Sequence, residues 1–245
     1  MSDLTLAIEI SNPSSGPRGS VRIGPDRTAL AGPGVALARD GEAPDVELLN
    51  ESGRHDDDLM PAIDRLFRRA GSRPRDLTRI TLSIGPGGYT SLRIAVATAK
   101  MLSETTGAKV LPVPSAHAAA FLVAPVLTLV CLASKGQTAH ATLLPAGPDR
   151  FTAARTLGVI DAEGVASSAC KALIADRFLP DTFRAAADRA GIPIIEPVFA
   201  AASLVSLCAG VDPVDPLALA PLYPRPAEAV TLWRARHPNP AHPKT

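Results

Sequence analysis

The sequence predicts a mixed α/β fold, in which strands and helices alternate along the first half of the chain. Short runs of aliphatic and β-branched residues, such as 79–84 and 109–113, alternate with two stretches whose apolar residues recur every three or four positions. The composition agrees with this prediction. Of the 245 residues, 46% are hydrophobic and 20% are charged, which is typical of a globular protein and excludes a disordered chain.

The N-terminal region is predicted to be rich in strands. Residues 4–10 form a short β-prone run, and residues 20–23 are expected to pair with them as a hairpin. Residues 35–38 and 46–49 are predicted to be the third and fourth strands. The Gly- and Pro-rich stretch 24–34 is predicted to be an exposed loop.

Two helices follow these strands. The first is predicted over residues 58–70, with an acidic start and a basic end that suit the helix dipole. Its predicted apolar face is formed by Leu59, Met60, Ile63, Leu66, Phe67 and Ala70. The second is predicted over residues 90–106, directly after the glycine-rich turn 85–88. Ser115 is expected to cap a short third helix.

The second half of the chain shows a weaker pattern. Residues 126–132 and 138–144 are predicted to form a hairpin, and two alanine-rich helices are predicted at 166–175 and 181–190. A strand is expected at 193–195. This change of character near Pro125 predicts an N-terminal lobe, a smaller C-terminal lobe and a flexible tail, at 1–124, 125–233 and 234–245.

Charge, cysteines and hydropathy exclude several classes of function. The net charge is only +1, so the chain has no global attraction for nucleic acid, and any contact with tRNA is expected to come through a partner or to be local. The candidate for a local contact is the basic group of Arg65, Arg68, Arg69, Arg73, Arg75 and Arg79, for which a solvated helix face is the favoured interpretation. The three widely spaced cysteines predict buried thiols in a reducing compartment. The longest apolar stretch, 118–133, is too short and interrupted to cross a membrane. A cytoplasmic location is therefore predicted.

The glycine-rich turn is the most informative motif. A strand that ends in Gly-Pro-Gly-Gly and opens a helix can direct backbone N–H groups at an anion. However, the spacing matches neither the P-loop nor the dinucleotide-binding fingerprint. A structural turn is therefore favoured and no cofactor is predicted. The alternative, a phosphate cradle, would use Gly85, Gly87, Gly88, Thr90 and Arg93.

The segment 85–93, GPGGYTSLR, resembles the GPGSFTGLR signature of the TsaB (YeaZ) family. The strand LAIEIS at 6–11 is similar to the family's LAIDTS, and PLYPR at 221–225 is similar to its P-x-Y-x-R ending. The chain also departs from the family pattern. Glu9 and Ile10 stand where the family has Asp-Thr, and the Asp-Ala-Arg segment is missing around 132–139.

This resemblance implies an actin-like ATPase (ASKHA, ribonuclease H-like) fold with two βαβ-rich lobes. It also implies a non-catalytic subunit of the complex that synthesises threonylcarbamoyladenosine (t6A) in tRNA. Such a subunit pairs with a TsaD-type threonylcarbamoyltransferase, which holds the metal and the nucleotide, and a TsaE-type ATPase docks on the pair. The chain itself is then expected to be neither an enzyme nor a cofactor-binding protein.

The two helices are predicted to supply the partner interface. The second helix is apolar around much of its circumference, and its small residues permit close approach of another helix. An interface of about 800 Å² per side is expected. Its predicted contact residues are Leu59, Ile63, Phe67, Ile94, Ala97, Thr98 and Met101.

Other functions remain open from the sequence alone. One alternative is a divergent ASKHA-type ATPase or a glycoprotease-like enzyme, for which Glu9 is the only acidic candidate on the first strand. A nucleophile–base pair of Cys131 with His140 or His117 is conceivable, whereas the lone His55 predicts no metal site. The third alternative is a stand-alone homodimeric scaffold that uses the same helices.

Overall fold

The computed structural model describes residues 3–22, 28–50, 55–226 and 228–237. The strands are β1 (Leu4–Glu9), β2 (Gly19–Arg22), β3 (Thr28–Ala31), β4 (Gly34–Arg39), β5 (Asp45–Leu48), β6 (Arg79–Ser83), β7 (Lys109–Val113), β8 (Thr128–Lys135), β9 (Thr138–Leu144), β10 (Arg155–Ile160), β11 (Ala172–Ala175) and β12 (Ile194–Ile195). The helices are α1 (His55–Arg69), α2 (Tyr89–Thr106), α3 (Ser115–Ala120), α4 (Glu163–Ser167), α5 (Asp181–Arg189), α6 (Ala201–Leu207) and α7 (Glu228–Arg236).

The first sheet has the strand order β5-β4-β1-β6-β7. β1 lies antiparallel to β4 and parallel to β6, with Leu6 opposite Leu37 on one side and Ile80 on the other. One face of this sheet carries α1 and α2, whose apolar residues pack with Leu6 and Ile8 of β1 in one core cluster. The two helices therefore lie side by side on the same face.

The second sheet repeats the arrangement of the first. Its order is β10-β9-β8-β11-β12, with two antiparallel pairs followed by two parallel pairs, as in the first sheet. α4 and α5 cover its outer face through Val165 and Phe183. By this correspondence, α5 between β11 and β12 is the counterpart of α2 between β6 and β7.

A third layer of helices joins the two sheets. α3 and α6 contribute to a cluster that contains Ala7 and Ala36 of the first sheet and Val130 and Leu132 of the second. α6 comes from the C-terminal half of the chain, yet it packs on β1 and β4. The lobes thus share a buried core. This core fixes the cleft between them.

Most predicted elements are present, but the first hairpin is wrong. β2 pairs with β3 in a separate two-stranded sheet, and β1 pairs with β4 and β6 instead. Because β1 is central, both of its edges are already used and no edge is left for β2. The stretch predicted as an exposed loop contains β3, and residues 31–34 are buried; residues 23–27 of it lie outside the described residues.

The C-terminal half of the chain also differs from the prediction. The predicted helix 166–175 is divided between α4 and the strand β11, whose four residues are all buried in the middle of the second sheet. β10 and α6 were not predicted at all. Residues 234–236 of the predicted tail are helical, and residues 238–245 lie outside the described residues. Within the described chain, no helix is both long and apolar enough to cross a membrane.

Arg150 is a buried cation that closes the C-terminal end of α3. Its side chain is only 5% exposed, and its guanidinium donates to the carbonyl oxygens of Ala120 (2.7 Å), Phe121 (3.2 Å) and Ala124 (3.3 Å). The last carbonyl groups of a helix have no partner within the helix and carry negative partial charge. Arg150 therefore supplies donors and positive charge where both are needed.

We expect Arg150→Leu to lower the free energy of unfolding by about 2–3 kcal/mol, because buried carbonyl groups lose their only charged donor. Urea unfolding followed by circular dichroism measures this loss. The matched control is Arg155→Leu at an exposed position of β10, which should change stability by less than about 0.5 kcal/mol. Equal losses in the two variants would contradict the capping role of Arg150.

Candidate functional site

The glycine-rich turn lies where the carboxyl ends of β1 and β6 meet. Gly85 has φ of +113°, which favours glycine, and a Cβ atom on Gly87 would lie 2.1 Å from the backbone oxygen of Ser11. Gly88 N–H donates to that same oxygen at 2.7 Å. The glycines therefore allow the turn to pack directly on the backbone that follows β1.

The polar groups of the turn are bonded to its protein neighbours. Gly85 N–H donates to Ser115 Oγ (3.1 Å), and Ser115 N–H donates back to the Gly85 carbonyl oxygen (2.8 Å). The side-chain amide of Asn12 donates to the Pro86 carbonyl oxygen at 3.2 Å. Ser115 was predicted as the N-cap of α3 but is its first residue. Its hydroxyl group accepts the hydrogen bond from Gly85 and does not cap the helix.

The five residues of the alternative phosphate cradle lie in different environments. Gly85 and Gly88 already donate their N–H groups to protein oxygens. Gly87 and Gly88 line a cavity of about 260 Å³ between the lobes. Thr90 and Arg93 lie exposed on the first turns of α2, where the Arg93 guanidinium stands 5.4 Å from the centre of the Tyr89 ring. This arrangement favours the structural interpretation of the turn, and phosphate binding stays an untested prediction.

Glu9 lies beneath the turn and takes part in an internal network. It is 1% exposed, and it accepts hydrogen bonds from the N–H (2.9 Å) and hydroxyl (2.7 Å) of Ser11 and from the hydroxyl of Ser83. Burial raises the pKa of its carboxyl group, although the hydrogen bonds act in the opposite direction. Glu9 thus couples the ends of β1 and β6.

Glu9 should make the protein less stable as the pH rises. Its pKa in the folded chain lies above the 4.5 of the exposed group, so the folded state binds more protons between these two values. The free energy of unfolding must then fall as the pH rises through that interval. Glu9→Gln retains an acceptor and a donor without titrating, and it should flatten this fall. Urea unfolding at several pH values tests it; an equally steep fall in the variant would contradict the prediction.

Several residues of the predicted partner interface are not on the outer surface of α1 and α2. Leu59, Ile63 and Phe67 are 1%, 3% and 3% exposed and belong to the core, so they cannot contact a partner in this conformation. The same pattern that predicted the helix places them toward the sheet. Thr98 is also buried, and Ile94 is half-buried against the core.

The exposed residues of these helices include two stripes at i, i+4 spacing, and Met60 and Ala70, which the sequence pattern placed on the apolar face, are both exposed. On α2 the stripe is formed by Arg93, Ala97 and Met101, and on α1 by Met60, Asp64 and Arg68. Met101 is 48% exposed and Met60 is 44% exposed, while Arg68 and Asp64 form an ion pair of 2.9 Å. We call these six residues the helix surface. Ala97 and Met101 are the predicted interface residues that the structure leaves accessible.

Salt bridges hold α1 against the edge strand β5. Arg65 pairs with Glu47 at 2.7 Å and with Asp58 at 3.1 Å, and Arg69 pairs with Asp45 and Glu47 at 2.7 and 2.8 Å. These guanidinium groups already have carboxylate partners. A contact of Arg65 or Arg69 with tRNA would therefore have to compete with these ion pairs.

The alternative catalytic groups are not assembled. Cys131 faces Ala141 across the β8–β9 pair, whereas His140 faces Leu132, so the thiol and the imidazole project to opposite faces of the sheet. Burial also raises the pKa of Cys131 to about 12, and lowers that of His117 to about 4.

The described residues contain no cluster of three or more potential metal ligands. The side chain of His55 lies outside the described part.

The structure also joins residues that are distant in sequence. The rings of Tyr89 and Tyr223 stack with centres 5.2 Å apart, and Arg225 donates to the Ala133 carbonyl oxygen and to Thr138 Oγ1, both at 2.7 Å. The P-x-Y-x-R segment near the C-terminus was the only sequence signal for them. This segment thus connects the turn, α2 and the β8–β9 hairpin.

Comparisons with known proteins agree with this architecture. A family model described as "TsaD: tRNA N6-adenosine threonylcarbamoyltransferase" matches residues 50–149. A curated relative, the tRNA threonylcarbamoyladenosine biosynthesis protein TsaB of Bacillus subtilis, is 34% identical over 70 residues, which cover 29% of this chain and 31% of that protein. The match thus spans about a third of the curated relative's length.

Two solved structures from Pseudomonas aeruginosa share the fold. One is described as an uncharacterized protein with similarity to peptidase YEAZ; it has a TM-score of 0.64 and 18% identity and covers 91% of this chain and 100% of that chain. The other is YeaZ, with a TM-score of 0.61 and 17% identity over 90% and 99% of the two chains. The α/β fold with mixed sheets that the sequence predicted is confirmed, and these two structures share it.

Proposed function

We propose that this chain is a TsaB (YeaZ)-type protein and the non-catalytic subunit of a t6A-synthesising complex, a role supported by its similarity to these proteins. In that role it binds and activates a TsaD-type threonylcarbamoyltransferase. One observation carries the proposal. The signature turn is bonded internally to Ser11 and Ser115, while the helix that it begins leaves Ala97 and Met101 exposed.

The helix surface has the character of a docking site. Ala97 is small and exposed, so another helix can approach the α2 backbone closely at that position. Met101 and Met60 are exposed beside it, and methionine side chains adapt well to a partner surface. The adjacent stripes of two long helices can supply the roughly 800 Å² per partner of a standard interface.

The turn and Glu9 support a structural role in the chain itself. Glu9 is the acidic residue nearest to the turn on β1, and its two oxygens are engaged by Ser11 and Ser83. A carboxylate that positions a metal or a water for attack must be open to the substrate, whereas Glu9 is only 1% exposed. The threonylcarbamoyl transfer is therefore assigned to the TsaD-type partner, and no cofactor is assigned to this chain.

Reconstitution tests this function. The purified chain is combined with the TsaD-type and TsaE-type proteins of the same organism, tRNA and a threonylcarbamoyl donor, and t6A is measured by mass spectrometry of the digested tRNA. We expect t6A only when this chain and the TsaD-type protein are both present, and no nucleotide turnover by this chain alone. Full activity without it, or ATP hydrolysis by the isolated chain, would contradict the proposal.

A further inference from the structure

The helix surface has two flanks of different character. Across the first sheet, α1 packs on β4 and β5 and α2 packs on β6 and β7, so one flank lies beyond α1 and the other beyond α2. The flank beyond α1 carries the salt bridges of Arg65 and Arg69 with the carboxylates of β5. Charged groups that already have partners are typical of the polar rim of an interface.

The flank beyond α2 is formed by the chain from 214 to 223. Val214 N–H donates to the Val110 carbonyl oxygen of the edge strand β7 at 2.9 Å, and the Tyr223 ring stacks on Tyr89 at the start of α2. Between these two points, Leu219 is 4% exposed and belongs to the same core cluster as the buried residues of α2. The segment is therefore held beside α2 at both ends and in the middle.

A turn within this segment presents Leu217 to solvent; we call residues 215–219 the flanking turn. Leu217 N–H donates to Asp215 Oδ1 at 2.9 Å, and Leu219 N–H donates to the Asp215 carbonyl oxygen at 3.1 Å. Leu217 is 84% exposed, more than any other large apolar side chain among the described residues. Because the backbone that carries it is already fixed, little conformational freedom is lost when this side chain is bound.

Lys100 joins the flanking turn to the helix surface. Its Nζ donates to the Leu217 carbonyl oxygen at 3.2 Å. Lys100 follows Ala97 by three positions on α2 and directly precedes Met101, so the flanking turn lies beside the two exposed apolar residues of that helix. Ala218 of the turn is exposed as well. The exposed apolar area of the helix surface thus continues past α2, on the side away from α1.

We propose that Leu217 anchors the docked TsaD-type subunit by inserting into an apolar hollow of that partner. An interface of about 800 Å² per partner includes about 20–30 residues a side, more than the six of the helix surface, so the contact extends over at least one flank. The flank beyond α2 gains more from burial, because it exposes apolar side chains and the other exposes ion pairs. The partner is the one that the proposed function assigns to α2, and the inference rests on that function.

Calorimetric titration of the full-length chain with the TsaD-type protein tests the role of Leu217. We expect Leu217→Ser to weaken binding about tenfold or more, because docking then buries no large apolar side chain at this position. Leu217→Met should retain most of the affinity, since methionine has a similar volume and adapts its shape. The matched control is Val159→Ser, which removes a 42% exposed side chain from β10 and should bind like the wild type. All three variants should melt like the wild type, because the replaced side chains are exposed.

Photo-cross-linking shows whether Leu217 itself lies in the contact. The full-length chain with Leu217→benzoylphenylalanine should cross-link to the TsaD-type protein, whereas the chain with Val159→benzoylphenylalanine should not. Mass spectrometry of the digested product identifies the partner residues, which we expect to be apolar. Cross-links between two copies of this chain, with none to the TsaD-type protein, would assign Leu217 to a homodimer and overturn the proposal.

The substitution Ala97→Glu on α2 separates this proposal from the proposed function. If Ala97→Glu loses binding while Leu217→Ser binds like the wild type, α2 is the docking site and Leu217 is not an anchor. If both variants lose binding and the Val159 control does not, the docking surface includes the flanking turn. If the wild-type chain does not bind the TsaD-type protein, the proposed function and the role of Leu217 are both wrong.

Discussion

Ala97→Glu should weaken binding to the TsaD-type subunit by about 100-fold or more, because the interface would then bury an unpaired carboxylate. Ala97 is exposed in the middle of the α2 stripe, so the isolated variant should fold and melt like the wild type. Met101→Glu should act in the same way, since its side chain is 48% exposed one turn further along. Calorimetric titration with the TsaD-type protein measures both losses.

The duplicated fold provides a matched control for this experiment. Ala185 is an exposed alanine on α5, the helix that occupies in the second sheet the place of α2 in the first. Ala185→Glu introduces the same charge on an equivalent helix and should leave the affinity unchanged. If Ala97→Glu binds normally, α2 is not the docking site. Molar mass measured with and without the TsaD-type protein also shows whether α2 joins two copies of this chain.

Gly87→Ala should lower the free energy of unfolding by about 2–4 kcal/mol, since a close backbone contact leaves no room for a methyl group. The new Cβ atom would lie 2.1 Å from the Ser11 backbone oxygen and 2.9 Å from the Ser11 carbonyl carbon. Relief of this clash requires the turn to move away from β1, which would break the hydrogen bond from Gly88 N–H to Ser11. Thermal and urea unfolding measure the loss.

The neighbouring glycine serves as the control. A Cβ atom on Gly88 would meet nothing nearer than 3.6 Å, and its φ of −64° is accessible to any residue. Gly88→Ala should therefore be neutral or stabilise the chain by a few tenths of a kcal/mol through reduced entropy of the unfolded state. Equal destabilisation by the two substitutions would show that the helix start, and not the approach to Ser11, sets the requirement for glycine.

Local patterns predicted the elements whose determinants lie within a few residues. The apolar period of α1 and α2, the left-handed Gly107 that ends α2, and the hairpin around Gly136 are all visible in the sequence and present in the structure. The nonapeptide signature carried the family resemblance, and the structure shows that its Gly87 is required by the close approach of the turn to the backbone of Ser11. These features depend on short-range geometry.

The sequence could not decide which strands pair or which helix residues remain exposed. β1 joins β4 and β6 because both of its faces are buried, and β11 is a strand because it completes the second sheet, although its alanine-rich sequence suits a helix. The apolar period of α1 identified Leu59, Ile63 and Phe67 but could not show that the sheet, and not a partner, covers them.

The contact between Tyr89 and Tyr223 was equally invisible in the sequence. Tyr89 and Tyr223 are separated by more than half of the chain, and their rings meet only because the buried core between the sheets fixes the two lobes against each other. The chain therefore determines its helices, its tight turns and its fold class by local sequence. Strand pairing, the exposed helix surface and the contact between the two tyrosines are decided by tertiary packing, since each depends on which distant segments compete to cover the same apolar area.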